Sequence, residues 1–379
     1  MPKLDEVIKS LNKSFKTDII TKDNNANTLG GREKVMFRSP SLQYLFYGGL
    51  PVHTLWEISG QYSSGKTVLT MDIAGQFQKH YKAKWEQEVE ELQSTANPNK
   101  SQKEQLSRLL ENGYKKVVWL DSEHSLDSVW AAKNNLDVDD IIYIKPQEES
   151  AEQLLDACLA LIESDGVCLL VIDSIAALTS GAALSKSLTE KTYCGIAGPL
   201  TTFTSKLLPI MSKFDCTVIC INQQRDTLDS MFKQTHTPGG QAFKYGTSCR
   251  LELRKGKSLD DNWNEIPNKE GYHAGQVIEV QILKNKLSNP SRRVTKLTLM
   301  YETGLNPVVD TINLAITFGL IKKAGAWFSI VGENGEAKVH ENGDTMKWQG
   351  LANVIRYMQE HEEVYKEVFD AVNTIVEQE

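Results

Sequence analysis

From Val35 onward, short apolar runs alternate with stretches whose apolar residues recur every three or four positions. That alternation is the signature of a sheet built with crossover helices. Five segments read as strands: Thr54 to Ser59, Lys116 to Leu120, Cys168 to Ile172, Thr217 to Ile221 and Val277 to Leu283. The middle three are almost continuously apolar, which predicts strands covered on both faces in a mostly parallel sheet. Ahead of them, Leu4, Val7, Ile8, Leu11 and Phe15 fall at helical spacing and predict a short amphipathic helix. The polar TKDNNANTLGG that follows sets this helix apart, so residues 1–33 read as an arm on a linker.

Residues 78–113 are charged and helix-favouring and are split by Asn97-Pro98-Asn99. They predict an exposed helical hairpin inserted between two core elements, either a solvated surface or a partner-binding one. Beyond Pro307, a helical run to Leu320, the segment GAWFS, a glycine-rich turn region and a final amphipathic helix predict a small C-terminal domain. The expected division is residues 1–33, 34–307 and 308–379, without internal repeats.

Composition changes this picture in three places. A chain of 379 residues that is 40% hydrophobic and 24% charged can bury a sizeable core. It has no run of about 18 apolar residues, and its start is polar, which predicts a cytoplasmic protein with no membrane partner. The six cysteines, Cys158, Cys168, Cys194, Cys216, Cys220 and Cys249, form no C-x-x-C pair and read as reduced and structural. Cys216 and Cys220 invite a metal reading, but no histidine or second cysteine pair accompanies them. The formal net charge of -7 argues against a polyanionic partner. Acid is concentrated in residues 86–91 and 359–379, however, which leaves the central segments free to carry local basic sites.

The strongest candidate chemistry is Gly60-Gln61-Tyr62-Ser63-Ser64-Gly65-Lys66-Thr67, which satisfies G-x-x-x-x-G-K-[ST] with an apolar strand before it and a helical stretch after it. Gly60 and Gly65 let the N–H groups around Ser63 and Ser64 wrap phosphates at a helix start. Lys66 brings a positive charge to the terminal phosphates of ATP, and Thr67 offers a hydroxyl to Mg2+. The strand VCLLVID ends on Asp173, a second carboxylate placed to hold the metal's water shell. Another strand, VVWLD, leads into Glu123 at the carboxyl edge of the sheet, where Glu123 is the candidate for orienting or deprotonating an attacking water. Asp121 is its rival.

WEISGQYSSGKT, WLDSEHSLD, VIDSIAALT, CINQQR, GGQAFKY, ILKNK and KKAGAWFS follow one another in order, and together they resemble the bacterial and phage RecA recombinases. The resemblance runs from the arm to the last helix, interrupted mainly around residues 78–113. It implies an α/β fold: a RecA-type P-loop NTPase core with a central mostly parallel sheet, an N-terminal helical arm and a small α/β C-terminal domain. It also implies a DNA-dependent ATPase that forms helical homopolymeric filaments on single-stranded DNA and exchanges strands with double-stranded DNA in recombination and repair. Loading mediators are a further class of partner that it leaves open.

The resemblance implies roles for individual residues as well. Lys66, Thr67 and Asp173 fall on the ATP and Mg2+ side and Glu123 is the catalytic carboxylate. Trp130 stands where the family stacks a tyrosine on adenine, with Asp127 and Tyr301 near the nucleotide. Gln223 resembles a sensor of the terminal phosphate that begins a DNA-contacting loop, in which Arg225, Met231, Phe232, Gly239 and Gly240 match the second DNA-binding loop. The first such loop, Gly181 to Tyr193, matches in place but weakly in sequence, and Lys206 falls at a phosphate-contacting position. Lys284 and Lys286 leave one face of a strand and would reach the neighbouring protomer's ATP, much as an arginine finger does.

Three departures bear on these roles. Pro199 stands where the family carries an arginine, Gln241 replaces an asparagine, and Tyr62 occupies the phosphate-loop position of a glutamate. Two other classes remain in play: a RecA-fold hexameric helicase, and an ATP-gated DNA-coating mediator without strand exchange.

Overall fold

The structure is a computed structural model that describes residues 4–16, 33–187, 195–226, 235–268, 271–289, 291–332, 335–340 and 343–378. The chain divides into two units, Met1–Lys34 and Val35–Glu379. In the first, α1 (Leu4–Phe15) carries Leu4, Val7, Leu11 and Phe15 along one face, with Asp5 and Glu6 in its first turn and Lys13 in its last. That charge order suits the helix dipole.

The second unit begins with the short helix α2 (Pro40–Leu45) and is built on one large sheet. Its main strands are β1 (Leu55–Gly60), β2 (Lys116–Asp121), β3 (Ile141–Ile144), β4 (Val167–Asp173), β5 (Thr217–Gln223), β6 (Cys249–Leu259), β7 (Gly275–Asn285), β8 (Val294–Met300) and β9 (Gly304–Leu305), and a short tenth, Glu265–Ile266, pairs with the end of β6. Their order across the sheet is β9-β8-β7-β6-β1-β5-β4-β2-β3. From β6 to β3 every pairing is parallel, and from β6 to β9 every pairing is antiparallel. All five segments read as strands from the sequence lie in this sheet, and the last of them, β7, belongs to its antiparallel side.

Both faces of the parallel part are covered, as the unbroken apolar runs require. One face packs Leu69, Ile73 and Phe77 of α3 (Lys66–Ser94) over Trp56, Trp119 and Val171. On the other, Leu155 and Leu159 of α6 (Ala151–Glu163) and Phe203 and Leu207 of α7 (Ala197–Lys213) cover Leu120, Leu170 and Val218. Each such side chain contributes about 1.5–3 kcal/mol by leaving water.

The segment expected as an inserted hairpin is built differently. Its first arm is no separate helix but the continuation of the phosphate-loop helix α3, 29 residues long. The second arm, α4 (Lys100–Asn112), starts at an Asn99–Gln102 capping box. The two arms are pinned by Trp85, whose indole N–H donates to the Leu109 carbonyl at 2.9 Å, and Tyr81 and Val89 are buried. The hairpin is thus anchored to the core along one side and is not exposed throughout.

After Asn306, whose side chain caps α9 (Pro307–Thr317), the chain forms a three-stranded antiparallel sheet of β10 (Ile321–Ala324), β11 (Trp327–Ile330) and β12 (Lys347–Gln349). Two helices follow, α10 (Leu351–Glu360) and α11 (Glu362–Gln378), where the sequence predicted one. Ile312, Phe328, Ile355 and Val372 gather these elements into a core of their own.

Asp310, in the first turn of α9, is fully buried and accepts the Ser39 hydroxyl at 2.7 Å. Burial pushes its pKa up to about 7, against the ordinary 3.8. Because the folded value lies above the unfolded one, the native state favours the protonated carboxyl, and stability drains away as the pH rises from about 4 to about 7. Asp310→Asn removes that titration. In urea unfolding, its stability relative to wild type is expected to rise by on the order of 2–4 kcal/mol between pH 4 and pH 8. A constant difference across that range would refute the assignment.

Candidate active site at the carboxyl edge of the sheet

Parallel pairing aligns the carboxyl ends of β1, β5, β4 and β2, with Gly60 opposite Gln223 and Asp121 opposite Asp173. Loops leaving this edge carry the titratable groups, the usual location of a site in an open α/β sheet. The phosphate-loop candidate runs from Gly60 to the start of α3. Gly65, at φ 91°, stands immediately before that helix, and a Cβ there would lie 2.3 Å from Ile278 Cδ1. A Cβ on Gly60 would lie 2.3 Å from the Leu253 carbonyl oxygen. Both positions therefore admit only glycine without rearrangement.

Lys66 folds over this loop and donates to the Gln61 carbonyl at 2.7 Å. Burial lowers its pKa, and the nearby Asp173 and Glu123 carboxylates oppose that shift. Thr67 donates its hydroxyl to Asp173 Oδ2 at 3.0 Å. Asp173 is itself buried, and this burial pushes its pKa up to about 7 against the Thr67 bond, with Glu123 and Asp121 adding in the same direction. A desolvated carboxylate beside a hydroxyl, with another acid close by, is a place where a small divalent cation is favoured. Mg2+ needs only one or two such protein ligands when phosphates supply the rest. Ser64 Oγ is buried without a partner, a donor left for a phosphate oxygen. The residues present therefore fit ATP with Mg2+.

Glu123 and Asp121, alternatives on sequence grounds, occupy different environments. Asp121 is fully buried, and its oxygens accept the Glu123, Ser125 and Leu126 backbone N–H groups and the Tyr143 hydroxyl at 2.9–3.2 Å. This network shapes the loop, and it pushes the Tyr143 pKa up to about 12, mainly through burial and the bond to Asp121. Glu123 is exposed on that loop, and one of its carboxylate oxygens accepts both the Ser174 hydroxyl and Gln223 Nε2, the latter at 2.7 Å. Ser122 secures the arrangement by donating its N–H to the Asp173 carbonyl and its hydroxyl to the Ser174 carbonyl, each at 2.8 Å.

A family model described as the RecA N-terminal domain matches residues 105–306. Protein RecA of Mannheimia haemolytica is 31% identical over 330 residues, covering 87% of this chain and 74% of that protein. Protein RecA of Staphylococcus carnosus (strain TM300) is 30% identical over 370 residues, 96% of this chain and 87% of that one. The chain belongs to the RecA family of recombinases. A third relative, Protein RecA of Thermus aquaticus, is 30% identical over 323 residues, 85% of this chain and 78% of its own.

For this RecA-family chain, the remaining site candidates fall in three groups. Near the phosphate loop, Gln276 of β7 donates to the Ser63 carbonyl at 2.9 Å and accepts the Tyr301 hydroxyl at 3.2 Å. Asp127 caps α5 (Ser128–Lys133) by accepting the Trp130 N–H at 2.7 Å, and the half-buried Trp130 ring packs against the core. Asn134 then ties the end of α5 to β9, just beyond Tyr301.

The second group surrounds the candidate DNA-binding loop. Its two stems pair through Arg225–Asp226 and Thr235–His236, with the backbone of Arg225 opposite that of His236. Met231 and Phe232 lie outside the described residues, as does part of the first candidate loop, whose beginning forms the helical turn Gly181–Leu184. Gly239 and Gly240, at φ 112° and 76°, lead into α8 (Gly240–Gly246) and sit against Leu200 and Ala197 of α7. Lys206 lies further along α7, paired with Asp156 at 3.1 Å.

The third group is the lysine pair. Lys284 donates to the Lys244 and Tyr245 carbonyls at 2.6 and 3.0 Å, and Lys286 to the Tyr245 carbonyl at 2.9 Å, so both cover the end of α8. Burial, then repulsion from Lys286, brings the Lys284 pKa down to about 8. Within one protomer these lysines are therefore apart from Lys66. Ser174, Ser122 and Gln276 were missed from the sequence. Only Ser174, next to Asp173, carried a usable signal, because a hydroxyl directly after a metal-side carboxylate enters the same strand end.

Proposed function

We propose that this chain is an ATP-dependent recombinase that polymerises on single-stranded DNA, searches a duplex for homology and exchanges strands, hydrolysing ATP as it does so. The observation that carries the reading is the Gln223–Glu123 bond. It joins the exposed carboxylate of the loop after β2 to the residue from which the candidate DNA loop departs, two residues before Arg225.

ATP and Mg2+ supply the phosphoryl group and its charge neutralisation. Gly60, Ser63, Ser64, Gly65 and Lys66 hold the phosphates, while Thr67 and Asp173 hold the metal side. Trp130 offers a face to the base, with Asp127 and Tyr301 flanking the nucleoside. Glu123 orients the attacking water and takes its proton, and Gln223 responds to the terminal phosphate. Arg225, Met231, Phe232, Gly239, Gly240 and Lys206 contact the DNA strand through phosphate pairing and base wedging. Lys284 and Lys286 act on the ATP of the next protomer, and the apolar face of α1 docks on a neighbour. Such a head-to-tail contact that does not close gives a filament.

The test is ATP hydrolysis with and without single-stranded DNA, with the same samples imaged by negative-stain electron microscopy and assayed for joint molecules. Expected are DNA-stimulated turnover, helical filaments and strand exchange. Closed rings would favour a hexameric helicase, and filaments without joint molecules would favour a DNA-coating mediator. Either result overturns the reading.

A further inference from the structure

Three consecutive amide side chains, two closing β5 and one just beyond it, each bond a different carboxylate. Asn222 donates to Glu57 at 2.7 Å, Gln223 to Glu123 at 2.7 Å and Gln224 to Glu252 at 2.7 Å. Strand alternation sends Asn222 and Gln224 to one face and Gln223 to the other. Gln223 thus meets Glu123 and Asn222 meets the Pro238 side, while Gln224, just past the strand, lines a cavity with Gln61, Tyr62, Ser63 and Ser64.

Asn222 is fully buried and spends its amide nitrogen twice, on Glu57 Oε1 and on the Pro238 carbonyl at 2.9 Å. Pro238 lies immediately before Gly239. Glu57 is fully buried too, and its second oxygen pairs with Arg250, whose guanidinium also donates to Thr237 Oγ1 at 3.3 Å. One buried network therefore grips both stems of the candidate DNA loop: the strand end before Arg225 and the Thr237–Pro238 exit. In a low-dielectric interior such a network is stiff, because each broken bond strands a polar group away from water.

We propose that Asn222 is a positioning residue that couples the candidate DNA loop to the Gln223–Glu123 pair. It rests on the reading of that loop and of Gln223 given above. Displacement of Pro238 by a bound strand is carried through the Asn222 amide to the backbone that presents Gln223, and so to the carboxylate that orients water. Glu57 holds Asn222 in place and is itself held by Arg250.

The test uses the full chain with ATP, Mg2+ and oligo(dT), comparing wild type with Asn222→Ala and with Thr237→Val, which removes the Arg250 contact while keeping the β-branch. Expected for Asn222→Ala is DNA-free turnover within about twofold of wild type and retained oligo(dT) binding, but stimulation by DNA reduced about tenfold. Thr237→Val should lose stimulation in the same sense and to a smaller degree. Retained stimulation in a folded Asn222→Ala overturns the proposal. Equal loss of DNA-free and DNA-stimulated turnover also overturns it, because the residue would then serve the site itself. If thermal unfolding shows that Asn222→Ala does not fold, Thr237→Val decides on the same criterion. Wild-type turnover that ignores DNA would instead remove the recombinase reading on which the coupling rests.

Discussion

Glu123→Gln is expected to lower DNA-stimulated ATP turnover by about two to four orders of magnitude while nucleotide affinity stays within about threefold of wild type. The substitution is nearly isosteric. A glutamine carbonyl oxygen can still accept from the Ser174 hydroxyl and from Gln223 Nε2, the two donors that now converge on one carboxylate oxygen. What disappears is the negative charge and the ability to take a proton, so the loss should fall on kcat and leave KM almost unchanged. Asp121 cannot stand in. It is fully buried, with its oxygens committed to three backbone N–H groups and the Tyr143 hydroxyl, and has no oxygen free to face a water at the loop surface. Turnover within tenfold of wild type in a Glu123→Gln protein that still binds ATP would sink the assignment of the general base.

The parts of this site that could be read from the sequence are those whose physics is local. A strand, a tight glycine-bounded turn and a helix start must follow one another directly for backbone N–H groups to converge, so the phosphate loop is contiguous, and Asp173 ends its apolar run while Glu123 stands two residues beyond the end of another. The Asn222–Glu57 contact joins residues 165 positions apart, and no local pattern announces it. Neither does the link from Gln276 to Ser63 across 213 positions. The sequence also suggested a break after Phe77, where apolar residues give way to lysine and glutamate. Those residues are strong helix formers, so the change of composition marks where α3 leaves the core and not where it stops. Similarly, the final amphipathic stretch splits in two at His361, whose φ of -122° and ψ of 80° leave the helical region although the apolar spacing continues on either side.

The lysine pair gives the second large expected effect, because within one protomer it caps α8 and touches neither Lys66 nor Glu123. If Lys284 serves the neighbour's ATP, every active site combines Glu123 from one protomer with Lys284 from the next. Lys284→Ala is then expected to lose about two or more orders of magnitude of turnover, comparable to removing a trans-acting cation in other phosphoryl-transfer sites. Glu123→Gln should be equally inactive for a different reason. Mixed in equal amounts on single-stranded DNA, the two inactive proteins should recover about a quarter of wild-type turnover, since a random filament pairs an intact glutamate with an intact lysine at about one interface in four. Recovery requires that the two residues belong to different chains, for a site built wholly within one protomer contains one defect or the other in every copy. Diluting the mixture below the concentration at which filaments form should abolish the recovered activity. Absence of recovery in filaments shown by microscopy to contain both proteins would confine Lys284 to its role at the end of α8.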